Sequence, residues 1–206
     1  MISRQTAVRL ILASSSPRRS ELLAAAGLHF IVDPASVDET PHEGETPAEC
    51  VARLAIMKAR TVFARHPGDV VLGADTTVVL DGEMFAKPVD DAEAANMLRR
   101  LSGRTHEVLT GVALVTADGE RTALERTVVA MAAMSDEDVA WYVASGEPRD
   151  RAGAYAIQGL ASRFVHRVEG SYPNVVGLPV AAVLQLLREM GLTGVINQRQ
   201  SAGSAL

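Results

Sequence analysis

The fold is decided by the stretch Leu10-Ile11-Leu12-Ala13-Ser14-Ser15-Ser16-Pro17-Arg18-Arg19. Its first four residues form an apolar run that predicts a buried strand. Ser16 is a favourable N-cap and Pro17 a favourable first helical residue, so a helix is predicted to begin here and to end at Gly27. The stretch therefore predicts a strand, a serine-rich turn and a helix in direct succession.

Two arginines, Arg18 and Arg19, fall in the first turn of this predicted helix. The positive end of the helix dipole disfavours cations there by roughly 0.3–1 kcal/mol, so their placement suggests that an anion completes the site. Free backbone N–H groups and two guanidinium groups beside a serine turn are typical of a phosphate site. The alternative is a pair of solvated surface arginines.

Helical and strand-like segments alternate along the rest of the chain. Turn signals at Asp81-Gly82 and Asp118-Gly119 add hairpins to this alternation. The predicted fold class is therefore α/β, with a mixed, twisted sheet flanked by helices. Helices are predicted from residues 46 to about 65, 90 to 103, 135 to 145 and 179 to 190, and strands at residues 70–73, 77–80, 106–115, 122–134 and 163–168.

Length and composition indicate a globular chain that binds a small ligand. The sequence has 206 residues, of which 48% are hydrophobic and 22% charged, and this is enough to bury a full core. We expect a single domain over residues 1–197, with residues 198–206 as a flexible C-terminal tail. The net charge of −5 argues against polymeric nucleic acid as a partner and favours a small anion in a local basic pocket.

Cysteine usage and hydropathy bear on the compartment. Cys50 is the only cysteine, so there is no disulfide framework, and a reducing compartment is expected. The uncharged run from Ser171 to Leu187 is interrupted by prolines and polar residues and is short for a membrane span of about 20 residues. We therefore expect a cytoplasmic protein without a membrane partner.

Two charged residues occupy positions that a hydrophobic core would normally exclude. Asp75 lies between two strand-like runs, at the edge of a predicted buried strand pair, where an unpaired carboxylate costs several kcal/mol. This leaves pairing, metal binding or a cleft, or else an aspartate that caps a strand-end turn. Lys58 falls on the apolar face of the helix that begins at Thr46, where it either reaches into a site or extends along the surface to solvent.

Glu39 lies in a loop without apolar periodicity, where a solvated acid is the ordinary interpretation. Glu39 and Asp75 could instead jointly hold a hard divalent cation, which prefers carboxylate oxygens and several waters. Lys87, followed by Pro88, comes directly after the first predicted hairpin and on its own indicates little.

A run of small residues, Gly153-Ala154-Tyr155-Ala156-Ile157-Gln158-Gly159, surrounds one aromatic ring and one amide. Glycines allow a ligand to approach the backbone closely, and the Gln158 amide could contact a base edge with a donor and an acceptor. The alternative is a tight turn that carries a core tyrosine.

Six separated motifs together resemble the Maf family of nucleoside triphosphate pyrophosphatases, first associated with septum formation. The resemblance extends from about residue 10 to residue 191, and the order of the motifs makes the set specific where each alone is weak. The motifs are Leu12-Ala13-Ser14-Ser15-Ser16-Pro17-Arg18-Arg19, Val37-Asp38-Glu39, Lys58-Ala59, Gly73-Ala74-Asp75-Thr76, Lys87-Pro88 and the run from Gly153 to Gly159.

The resemblance implies a two-lobed fold similar to that of inosine triphosphate pyrophosphatases, with the active cleft between the lobes. It also implies a homodimer, magnesium or manganese as cofactor, and hydrolysis of a nucleoside triphosphate to the monophosphate and pyrophosphate. By position, Asp75 matches the proposed general base of the family. The other matching site positions are Arg18, Glu39, Lys58, Lys87 and Gln158.

Arg18, Thr76 and Gln158 match the family branch that acts on dTTP and UTP. The branch that acts on 7-methyl-GTP typically differs at all three positions, with Glu in place of the glutamine. One departure is Asp150-Arg151, where family members often carry Asp-Lys. The charge is the same but the donor geometry differs, which leaves a phosphate contact of Arg151 open.

The predicted site combines these residues. Glu39 and Asp75 hold the metal, and Asp75 activates a water for attack at the α-phosphorus. Arg18, Thr76 and Gln158 select the base. Two alternatives remain open: a nucleotide-binding regulator of septum formation without turnover, and a pyrophosphatase with purine preference. The residues expected to bind the substrate are Ser14, Arg18, Arg19, Lys58 and Lys87.

Overall fold

A seven-stranded mixed sheet flanked by helices forms the centre of the computed structural model, which describes residues 8–196. The strands are β1 (Leu10–Leu12), β2 (Phe30–Val32), β3 (Val70–Leu80), β4 (Glu83–Phe85), β5 (Thr105–Thr116), β6 (Gly119–Met131) and β7 (Val165–Glu169). Their order is β2-β1-β3-β5-β6-β7, with β4 paired to β3. β1 is parallel to β2 and β3, whereas the remaining pairs are antiparallel. The predicted α/β class and mixed sheet are confirmed.

The longer helices begin where the sequence predicts capping residues. Thr46 and Ser135 form reciprocal capping boxes, and Ser16 occupies the N-cap position before Pro17. Within residues 8–196, no helix is long and apolar enough to cross a membrane. The helices are α1 (Pro17–Ala25), α2 (Pro47–Phe63), α3 (Asp91–Leu101), α4 (Asp136–Ala144), α5 (Tyr172–Val176), α6 (Val180–Glu189) and α7 (Thr193–Ile196), with short 3₁₀ helices at Ala152–Ala154 and Leu160–Phe164.

The structure corrects the prediction of two separate strands around Asp75. They form one continuous strand, β3, because Asp75 and Thr76 pair opposite Gly111 and Thr110 of β5. The short elements β2, α5 and α7 were not predicted, since three to five residues are too few to show a hydrophobic period. The predicted tail, residues 198–206, lies outside the described residues.

One edge of β3 is open over part of its length. β5 pairs with β3 from Val71 to Val79, whereas the opposite edge pairs with β1 at residues 70–72 and with β4 at residues 78–80. Among the described strands, none pairs with residues 73–77 on that edge. The gap lies at the carboxyl end of β1, which is where α/β sheets commonly bind ligands.

Helix α2 lies directly against the sheet at two glycines. A Cβ at Gly73 of β3 would lie 2.2 Å from the Ala55 carbonyl oxygen, and one at Gly111 of β5 would lie 2.4 Å from the Val51 carbonyl oxygen. Neither position has room for a side chain. The contact holds the buried face of α2, which includes Lys58, against β3.

We expect Gly111→Ala to destabilise the fold by about 1–3 kcal/mol or more, because its Cβ overlaps the α2 backbone. Gly68→Ala is the matched control, since a Cβ there has nothing within 4 Å. Its effect should stay within about 0.5 kcal/mol. Urea unfolding followed by circular dichroism measures both changes. Equal stability of the Gly111→Ala protein and the wild type would contradict the close packing.

A buried histidine and tyrosine anchor the segment that leads into the turn at residues 156–159, which we call the Gln158 turn. His106 is 2% exposed, and its Nε2 lies 2.7 Å from the Tyr155 hydroxyl oxygen. The two rings meet edge to face. Burial lowers the pKa of His106 to about 4. Neutral His106 is therefore buried in the folded core together with Tyr155, as expected of a core tyrosine.

We expect acid to weaken the fold through His106. Its pKa is about 4 when folded and near 6.5 when unfolded. The unfolded chain therefore binds more protons between these values, and stability is lost as pH falls through that window. The loss attributable to this group is up to about 3 kcal/mol.

The measurement is the free energy of unfolding at pH 7 and pH 4.5 for the wild type and for His106→Gln, which keeps a polar partner for Tyr155 but does not titrate in this range. Carboxylates titrate alike in both proteins, so the difference isolates the histidine. An identical pH dependence would contradict its burial in the neutral form.

Candidate active site

A pocket of about 510 Å³ lies beside the open edge of β3. Its walls come from the turn after β1, from α1, α2 and β3, and from the segment around residues 150–158. The structure brings together every residue that the sequence singled out for catalysis, substrate binding, specificity or metal. These lining residues are Ser14, Arg18, Arg19, Glu39, Lys58, Asp75, Thr76, Lys87 and Gln158.

Asp75 and Lys58 form the charged centre of the pocket. The Lys58 ammonium lies 2.6 Å from Asp75 Oδ1 and 2.7 Å from Glu39 Oε1. Lys58 is 7% exposed, so it reaches into the site, and the surface-lysine interpretation is wrong. Burial raises the pKa of the Asp75 carboxyl above its ordinary value, although the Lys58 charge opposes that shift.

Glu39 and Asp75 provide a donor set that fits a divalent cation bound together with phosphate. Their carboxylates converge on one ammonium, so their oxygens face a common point. Mg²⁺ is typically bound through one or two carboxylates plus substrate phosphates. Among the described residues, no three His, Cys, Asp or Glu side chains are grouped to hold a metal by themselves. The expected cation therefore depends on oxygens that a substrate supplies.

Arg19 is held inside the pocket wall by neutral acceptors. Its guanidinium donates to the Gly177 carbonyl at 2.9 Å, to Ser14 Oγ at 3.0 Å and to Thr76 Oγ1 at 3.1 Å. Burial lowers its pKa, while the Asp75 charge opposes the shift. The interpretation of Arg19 as a solvated surface arginine is therefore wrong. Arg19 places a positive charge in the site, and its guanidinium group is already oriented by these three hydrogen bonds.

Thr110 and Gly177 belong to this network, and sequence reasoning missed both. Thr110 of β5 is fully buried, and its hydroxyl oxygen lies 2.9 Å from Thr76 Oγ1. Thr76 also donates to the Gly177 carbonyl at 3.3 Å. A polar residue inside an apolar strand was the available signal for Thr110. The signal for Gly177 was absent, because its carbonyl is brought here by tertiary packing alone.

Arg18 and Lys87 lie at the more open side of the pocket and share one acidic neighbour. Lys87 pairs with the Asp150 carboxylate at 2.5 Å, and Arg18 donates to the Asp150 carbonyl at 3.4 Å. Partial burial lowers the pKa of Arg18, and the Asp150 charge opposes the shift. Asp150 has a positive φ of 60°, a conformation that is unusual for aspartate. Lys87 is thus paired with an internal anion, and Arg18 is held by the backbone of the same residue.

Arg151 also lines the pocket. Its Nε is buried and has no hydrogen-bond partner within the described residues. A buried donor without a partner is costly unless a ligand or water satisfies it. The phosphate contact of Arg151 that the sequence left open stays a prediction. A phosphate oxygen would supply the acceptor that the buried Nε–H group lacks.

Gln158 is the exposed residue of an otherwise well-packed turn. Tyr155 and Ile157 are buried on either side of Ala156, whereas the Gln158 side chain is exposed at the pocket. The Gly159 amide donates to the Ala156 carbonyl at 3.0 Å, which closes the turn. The amide group that the sequence marked for base selection is thus exposed at the pocket.

Comparison with known proteins identifies close relatives. A dTTP/UTP pyrophosphatase of Symbiobacterium thermophilum is 56% identical over 183 residues, which are 89% of this chain and 94% of that protein. One of Myxococcus xanthus is 54% identical, with 89% and 93% covered. One of Syntrophus aciditrophicus is 44% identical over 198 residues, with 95% and 97% covered.

Among solved structures, a nucleoside-triphosphatase / dITP/XTP pyrophosphatase from Mycobacterium abscessus is similar with a TM-score of 0.46 and 17% identity, covering 90% of this chain and 98% of that chain. The sequence also matches, over residues 9–190, the family described as Maf-like protein. That span contains every residue of the pocket. The chain belongs to the Maf-like protein family.

Proposed function

We propose that this chain is a nucleoside triphosphate pyrophosphatase that hydrolyses dTTP and UTP to the monophosphate and pyrophosphate. The observation that carries the proposal is a largely buried carboxylate, Asp75, in a pocket rich in cations. The name dTTP/UTP pyrophosphatase, borne by relatives of 44–56% identity, supports the same activity. The cations that line the pocket are Arg18, Arg19, Lys58, Lys87 and Arg151.

The triphosphate is proposed to bind these cations in two groups. Lys58 and Arg19 lie in the pocket wall, where a low dielectric strengthens their attraction for phosphate. Arg18 and Lys87 are more accessible and exchange the Asp150 contacts for phosphate oxygens. Guanidinium forks suit phosphate geometry, and ammonium groups act as point charges.

Asp75 is proposed to orient the attacking water and to accept its proton. A free aspartate is a weak base, with a pKa near 3.9. Burial raises the pKa of Asp75, so the folded site makes proton transfer to it more favourable. Mg²⁺ or Mn²⁺ held by Glu39 and Asp75 would supply charge neutralisation at the phosphate oxygens. Pyrophosphate then leaves with its charge compensated by the surrounding cations.

Gln158 is proposed to select the base directly, and Thr76 with Arg18 to support that choice. The Gln158 amide can donate to O4 of uracil or thymine, which cytosine replaces with an amino group. Thr76 also lines the pocket, but its hydroxyl already bonds Arg19 and Gly177. Thr76 is therefore proposed to hold Arg19 in place, in addition to any contact that it makes with the base.

We expect Asp75→Asn to lower kcat for UTP and dTTP by about 10²–10⁴-fold, because the amide does not accept the proton of water. Pyrophosphate release with added magnesium or manganese measures the rate. Asp118→Asn is the matched control, since Asp118 is exposed in the β5–β6 turn and should leave kcat unchanged. Wild-type turnover in a folded Asp75→Asn protein would remove Asp75 from this role.

Adding a chelator distinguishes between two functions: an enzyme, and a regulator that binds nucleotide without turnover. Metal-dependent pyrophosphate release that the chelator abolishes is expected for the enzyme. Tight nucleotide binding without product would favour the regulator, and faster turnover of GTP than of UTP would favour purine preference. Homodimer formation and a cytoplasmic location remain predictions that sedimentation and cell fractionation can test.

Replacing Gln158 by Glu is expected to lower the ratio of kcat/KM for UTP over CTP by about tenfold or more, because a carboxylate cannot donate to O4 and leaves it unpaired. Steady-state kinetics with UTP, dTTP, CTP and GTP measure this ratio. Exposed Glu137 offers a control of opposite change, Glu137→Gln, which should leave the ratio as in the wild type. An unchanged ratio in Gln158→Glu would exclude base reading by this side chain.

A further inference from the structure

The backbone of the Gln158 turn is held at both ends by two side chains from outside the pocket. On one side, the Ala156 amide donates to the Tyr142 hydroxyl oxygen at 3.1 Å. On the other, the Leu160 and Ala161 amides donate to the Glu147 carboxylate at 2.9 and 3.2 Å. The Tyr142 hydroxyl donates to Glu147 Oε1 at 2.8 Å, which joins the two anchors.

The burial of Tyr142 fixes the direction of the hydrogen bonds in this link. Tyr142 is fully buried and packs edge to face against Phe164. Burial, together with the neighbouring Glu147, raises the pKa of Tyr142, so its hydroxyl keeps its proton. The hydroxyl donates a hydrogen bond to Glu147, so its oxygen accepts the hydrogen bond from the Ala156 amide. Only one pattern of hydrogen bonds satisfies all of these groups.

Gly159 makes room for the Glu147 carboxylate. A Cβ at Gly159 would lie 2.1 Å from Glu147 Oε2. The backbone at Gly159 has φ of −110°, which other residues can adopt. The approach of the carboxylate therefore leaves no room for a side chain at this position.

We propose that Tyr142 and Glu147 act as positioning residues for nucleotide selection, because they fix the turn that presents Gln158. We call this pair the Tyr142–Glu147 clamp. Neither side chain lines the pocket, so neither contacts the reacting atoms. The inference rests on the proposed function, in which Gln158 reads the base. Selectivity would then depend on side chains that do not themselves contact the nucleotide.

Two variants open the clamp in different ways. Tyr142→Phe removes the acceptor for the Ala156 amide and the donor to Glu147, with little change in ring volume. Gly159→Ala keeps both clamp side chains but displaces the carboxylate by its Cβ. Tyr172→Phe and Gly68→Ala are the matched controls, since Tyr172 is 46% exposed and Gly68 has open space around its Cβ.

Both clamp variants are expected to lower the kcat/KM ratio for UTP over CTP by about fivefold or more, since an unfixed amide no longer discriminates between the two bases. KM for UTP should rise, while kcat at saturating UTP stays within about threefold of the wild type, as the site of chemistry is unchanged. The controls should keep the wild-type ratio. Thermal unfolding establishes that each variant is folded.

The outcomes separate the inference from the proposed function. If Gln158→Glu lowers the ratio but Tyr142→Phe and Gly159→Ala keep it, the clamp is overturned and base reading stands. Equal losses of kcat for all nucleotides in the folded clamp variants would also overturn it, because they would indicate a general structural role. If Gln158→Glu leaves the ratio unchanged, base reading fails and the inference fails with it.

Discussion

The contact between helix α2 and the sheet is the constraint on which the site depends. Gly73 and Gly111 allow the helix backbone to approach β3 and β5 at distances that any side chain would prevent. Lys58 therefore reaches Asp75 at 2.6 Å inside the protein. A largely buried carboxylate is tolerated because this ammonium compensates it, and removing one partner would leave an unpaired buried charge.

Local signals predicted much of the fold, and the motifs of the family resemblance predicted the residues that the structure brings together in the pocket. The strand–turn–helix order around Ser16 and the capping residue Thr46 depend on neighbours along the chain, so the sequence carries them directly. The site residues could be collected because six motifs occur in a family order. Local signals failed at β3. Asp75 and Thr76 were expected to separate two strands, but one strand continues through them because both residues pair with β5.

The parts that could not be predicted depend on contacts between residues distant in sequence. Arg19 was open to a solvated interpretation because its acceptor Gly177 lies 158 positions away. Whether a lysine at position 58 turns inward depends on the distance between α2 and β3, which hydrophobic periodicity does not contain. Glu147 resembles an ordinary acid in a loop until the fold brings the Leu160 amide to it.

The open edge of β3 also bears on how the molecule avoids self-association. A strand edge without a partner is a template on which another chain can add a strand, and natural proteins often protect such edges with charged side chains. Here residues 73–77 carry that edge, and charged side chains such as Arg19, Lys58 and Asp75 surround it. An incoming strand would have to desolvate these charges. The charges that line the pocket therefore also oppose the addition of a strand at this edge.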